Sequence, residues 1–214
     1  MESKKYLDDI SEIKNMMNKS SRFISLSGLS GVMAGIYALG GAWLAHSKIS
    51  ADRMSAYSDL SEMETILQER ELTIELLMIA GGVLVLALGT GILLSIRKAK
   101  REGEKIWNHS SKRLVINFFI PLLAGGLFSI AMLQYGYLSL VAPATLVFYG
   151  LACVNASKYT YGDVRYLGIA NIVLGLIATQ FVGYGLFFWA MGFGVLHILY
   201  GTLMYYRYDR AKQD

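Results

Sequence analysis

Catalytic and redox chemistry have little to work with in this sequence. Its 214 residues include one cysteine, three histidines and two prolines. Cys153 alone cannot close an intrachain disulfide, and no Cys/His spacing suits a metal site. A lone buried cysteine acts as a small apolar residue. There is no Walker A loop, no HExxH, no G-x-S-x-G and no dinucleotide fingerprint. Charged residues are only 17% of the chain. The long apolar runs contain no aspartate, which excludes an intramembrane aspartyl pair. The expectation is a chain that is not an enzyme, with no cofactor and no metal.

Apolar residues are abundant, at 54%. They gather in six runs, about 23–45, 73–96, 114–135, 138–157, 166–182 and 186–206. Each is long enough, or nearly so, for a hydrocarbon layer about 30 Å thick. The expected fold is all-α, an integral membrane bundle of six transmembrane helices over residues 22–214. Pro121 falls one to two turns into the third span and is expected to kink it. Pro143 falls in the first turns of the fourth, where a missing donor matters little. The three histidines then sit at three depths: His46 at one boundary, His109 in a connection, His197 in mid-span. One chain therefore cannot offer two histidines to a haem iron.

The segment 97–113, RKAKREGEKIWNHSSKR, carries seven basic residues between two of these runs. A polybasic connection stays on the cytoplasmic side. With six spans, 17 basic residues fall on that side and three, Lys48, Arg53 and Arg70, on the other. Both termini are therefore expected in the cytoplasm of a cytoplasmic (inner) membrane protein. The net charge of +4 is accounted for by this bias rather than by nucleic acid. Residues 1–21 place Tyr6, Ile10, Ile13 and Met17 on one face of a short amphipathic helix, a cytoplasmic arm. Residues 46–72 form the longest connection, acidic and external, with a helix leading into the second span.

Small residues mark where helices approach. Ser27, Gly31 and Gly35, with Ala38 and Ala42, form a stripe on the first span, and Ala190, Gly194 and Gly201 do so on the sixth. In lipid such faces pack helix on helix. The partner is either another span of this chain or a second subunit. His197 shares the Ala190–Gly194–Gly201 face and should point into the bundle. Depth counting sets Tyr149 of the fourth span at its level, as a hydrogen-bonding partner. Asn171, Tyr200 and Asn155 complete a candidate ligand-binding set between spans four, five and six, open to the cytoplasm. The alternative is that these groups only hold helices together.

Three stretches, SLSGLSGVMAGIYAL (25–39), FYGLACVNASKYT (148–160) and GFGVLHILYG (192–201), together resemble a group of uncharacterised multi-pass bacterial membrane proteins. The resemblance implies a cytoplasmic-membrane location and supplies no activity. Two functions fit the sequence. One is a non-enzymatic accessory, scaffold or regulatory subunit, touching lipid and either a second copy or another membrane protein. The other is a small transporter or channel using the polar set.

Overall fold

Six helices account for nearly all of the described residues of the computed structural model, which are 23, 25–55, 62–103 and 106–210. They are α1 (Gly28–Ser55), α2 (Glu62–Arg101), α3 (His109–Gln134), α4 (Leu138–Ala156), α5 (Asp163–Ala178) and α6 (Gly185–Arg210). The amphipathic arm expected over 1–21 lies outside the described residues. All helices but α5 are long and apolar enough to cross a membrane, which makes this a multi-pass membrane protein in contact with lipid. The 16 residues of α5 rise about 24 Å, short of the hydrocarbon thickness. The span expected over 166–182 is cut at Ala178 because the chain turns there. Thr179 Oγ1 donates back to Leu176 O, and Gly183 takes φ +91°.

Other boundaries move for equally local reasons. The first helix starts at Gly28, not 23, because Phe23 is held in an extended contact: its N–H donates to Tyr159 O at 2.7 Å. The connection expected over 46–72 is mostly helical, since α1 runs to Ser55 and α2 begins at Glu62. The basic segment 97–113 is also mostly helix ends. Arg97–Arg101 finish α2, and α3 begins at His109 under an Asn108–Ser111 capping box.

The packing order is α2, α1, α6, then the α4–α5 pair, then α3. Glycine sets the two closest crossings. An ideal Cβ on Gly35 would stand 2.6 Å from Gly194 O, and one on Gly201 would stand 2.5 Å from Val32 N. So the α1 stripe packs on α6 of the same chain. In the α4–α5 crossing, Gly150 and Gly168 face each other: a Cβ on either would meet the other's carbonyl at 2.5–2.6 Å. No larger side chain fits between backbones this close. By contrast α2 lies at the edge against α1, and no residue of its most apolar stretch is buried.

Pro121 is accommodated inside α3. It has no N–H for the carbonyl of Asn117, one turn earlier. Asn155 of α4 donates to that carbonyl instead, Nδ2 to O at 2.9 Å. A break in one helix's ladder is thus repaired by its neighbour's side chain.

Candidate functional site

Two polar clusters lie inside the bundle. The first is the one that depth counting anticipates. Tyr149 Oη stands 2.6 Å from His197 Nε2, and His197 Nδ1 stands 2.9 Å from Gly192 O. A carbonyl can only accept, so Nδ1 carries a proton. In the neutral ring Nε2 is then the acceptor for the Tyr149 hydroxyl. His197 is 7% exposed. Phe193 closes the aromatic group, its ring centroid 5.0 Å from that of Tyr149 and 5.9 Å from that of His197. Cys153, one turn along α4 from Tyr149, is buried beside it.

The histidine's neighbourhood is not a regular α-helix. Residues Ala190–Leu196 form a π-helical stretch inside α6. Its wider turn changes the phase of the Ala190–Gly194–His197–Gly201 stripe. Gly194 and Gly201 face α1, while the His197 ring reaches α4. Nothing in the residue spacing signals this insertion.

Asn171 is wholly buried. Its Nδ2 donates to Leu167 O one turn back, and its Oδ1 has no hydrogen-bond partner. That oxygen faces Gly192: a Cβ there would stand 2.7 Å from it and 2.3 Å from a Leu146 methyl. The contact therefore brings a polarised Cα–H against the oxygen, a weak substitute for an N–H donor. Asn171 and His197 thus both contact one residue, Gly192. Asn155 stands apart, bonded to Asn117, and Tyr200 lies half-buried on α6 beyond His197. The candidate set is brought together only in part, as Tyr149, His197 and Asn171.

The second cluster was not anticipated. Lys98, one basic residue of the polybasic segment, is 5% exposed and pairs with Asp209 of α6 at 2.5 Å. Lys98 Nζ also donates to Leu26 O at 3.0 Å and to Tyr161 Oη at 3.3 Å. Asp209 Oδ2 accepts from Gly28 N–H at 3.0 Å and from Ser27 Oγ at 3.3 Å. Ser27, expected on a helix-packing face, instead precedes α1 and helps hold this carboxylate. An anion at the first N–H of α1 also complements the positive end of the helix dipole.

The connection between α4 and α5 covers this junction. Tyr161 stacks on Tyr208 with centroids 4.0 Å apart, and Thr160 Oγ1 donates to Phe23 O at 2.8 Å. Burial raises the Tyr161 phenol well above its ordinary value of 10.0, with the Glu102 and Asp209 carboxylates adding to the shift. Beside it, Arg207 bridges both oxygens of Asp163 at 2.9–3.0 Å. No sequence signal separates Lys98 from Arg97 or Lys100; only the fold does.

Among the described residues no three His, Cys, Asp or Glu side chains converge as a metal site would require. His46 and His109 lie outside both clusters. No family model matches the chain, and neither a curated protein nor a solved structure matches it.

Proposed function

We propose that this chain is a non-enzymatic, six-span protein of the cytoplasmic membrane, with both termini and the basic connections on the cytoplasmic side, acting as an accessory, scaffold or regulatory subunit. The orientation rests on the 17-to-3 division of basic residues. In it α5, with the residues that flank it, serves as the short fifth span, the one added to the five long apolar helices.

One observation carries the functional part. The polar side chains best placed for chemistry are engaged with other helices of the same chain. His197 holds Tyr149, Asn155 holds the carbonyl freed by Pro121, and Lys98 holds Asp209. Interhelical hydrogen bonding is the ordinary use of such groups in a bundle. Meanwhile α2 leaves most of its surface for lipid or a partner.

A second reading, a small transporter or channel, keeps one specific support. The π-helical stretch adjoins both His197 and the unpartnered Asn171 oxygen, and such insertions gather at functional sites. Proteoliposome flux with neutral and anionic solutes separates the two. Under the subunit reading flux equals that of empty vesicles, and His197→Phe lowers only the melting temperature. Flux that His197→Phe abolishes without changing the melt would replace that reading with the transport one.

A further inference from the structure

The α1–α2 hairpin is longer than any bilayer needs. The 40 residues of α2 rise about 60 Å, twice the hydrocarbon thickness. Its uncharged part, 76–96, is already sufficient to cross. With 76–96 taken as the crossing segment, residues 62–75, which carry Glu62, Glu64, Glu69, Arg70, Glu71 and Glu75, are placed in water beyond the hydrocarbon by their charge. There α2 is held to the last turns of α1 by Gln68 to Asp52 and Lys48 to Glu75, each at 2.8 Å.

This extension is partly covered on only one of its faces. Gln68, Leu72 and Glu75 lie on the side turned to α1. Met63, Leu67 and Ile74 fall on the opposite side at helical spacing, with Ile66 at its margin and the exposed Arg70 on the same face between Ile66 and Met63. The four apolar residues are 66%, 50%, 47% and 55% exposed, respectively. Lipid cannot cover them at this height, and a water-exposed apolar stripe of this kind marks a protein contact. The stripe continues into the hydrocarbon through Leu77, Val85 and Ile92, also exposed.

Charge chooses the occupant. Residues 46–75 hold seven acidic and three basic residues, and Glu69 and Glu71 flank the stripe, exposed. A second copy would bring the same acids against them. We infer that the outer half of α2 docks an amphipathic helix of a different membrane protein, with an apolar stripe flanked by lysine or arginine. This deepens the subunit reading above by giving the partner's chemistry and rests on it.

The test uses the full chain in uncharged-lipid nanodiscs and three synthetic helical peptides. One has a leucine stripe with lysine flanks, one the same stripe with glutamate flanks, and one the lysine composition scrambled. The first should bind at least tenfold tighter than the other two, and not to empty nanodiscs. Leu67→Ser and Ile66→Ser should each weaken it about tenfold with an unchanged melt, because both side chains are already half exposed. Glu69→Lys with Glu71→Lys should invert the preference toward the glutamate-flanked peptide. Equal binding of the scrambled peptide, binding unaffected by Leu67→Ser, or photo-crosslinks from position 67 that yield only dimers of this chain would overturn the proposal. Solute flux with stripe-dependent peptide binding would remove the subunit reading and leave the docking face. No flux and no peptide binding would remove the docking face alone.

Discussion

Neutralising Asp209 should be the most damaging conservative change in this protein. Asp209→Asn keeps the shape of the side chain and removes its charge. The carboxylate ends three contacts, to Lys98, Ser27 and Gly28, and Lys98 ends two more, on Leu26 O and Tyr161. In the variant the Lys98 ammonium, at 5% exposure, loses the carboxylate it is paired with. Breaking a buried pair from one side costs about 3–5 kcal/mol. At roughly 2–4 °C per kcal/mol for a chain of this size, melting in detergent should fall by roughly 6–20 °C. Lys98→Met should cost less, because the orphaned carboxylate keeps two donors and the N-terminal end of α1. The double variant Lys98→Met with Asp209→Leu removes both charges together. It should be more stable than Asp209→Asn and fall short of wild type by the lost cap on Gly28, about 0.5–2 kcal/mol. Strictly additive losses, or a single variant that melts like wild type, would refute the claim that the two charges depend on each other.

The remaining expectations are smaller. Gly35→Leu should disrupt the α1–α6 crossing and lower the melt sharply, whereas Gly89→Ala, with open space around it, should change little; equal effects would mean that the crossing is not close-packed. Asn155→Leu should cost roughly 1–2 kcal/mol by stranding the Asn117 carbonyl. The loss should shrink in a Pro121→Ala background, where a backbone N–H returns to that carbonyl, and a thermal double-mutant cycle reads the difference. Because burial raises the Tyr161 phenol, the folded state keeps its proton while the unfolded chain begins to ionise near pH 10.0. Stability from this group is complete below that pH and is lost as pH rises above it. The alkaline fall in melting temperature should be shallower in Tyr161→Phe, and identical slopes would count against a buried phenol.

Helix number and apolar faces were legible because lipid solvation is a one-dimensional signal, carried by run length and charge. The Tyr149–His197 pair was legible for a related reason. Depth along a span is nearly fixed by residue count, so groups at one level can be matched before the fold is known. The small-residue stripes showed that α1 and α6 pack closely, but not that they pack on each other. That choice depends on the shape of both faces at once. Lys98 and Asp209 were illegible because each resembles its charged neighbours, and their pairing spans 111 residues. The π-helical stretch Ala190–Leu196 escaped for a different reason: no residue type demands it. Asn155 was visible as polar, and holding helices together was one of its two expected roles, but its partner was not visible, since the Asn117 carbonyl is free only because Pro121 lacks an N–H.

The contact between α1 and α6 also imposes an order on biosynthesis. Ser27 and Asp209 are 182 residues apart, and at about 5–20 residues per second that distance takes roughly 10–40 s to synthesise. Throughout this interval the glycine face of α1 and the first N–H of its helix have no partner from their own chain. The α1–α2 hairpin must wait in the bilayer, with Lys98 uncompensated, until α6 has been inserted. Any factor that shields membrane segments during synthesis would meet its longest demand at that N-terminal hairpin.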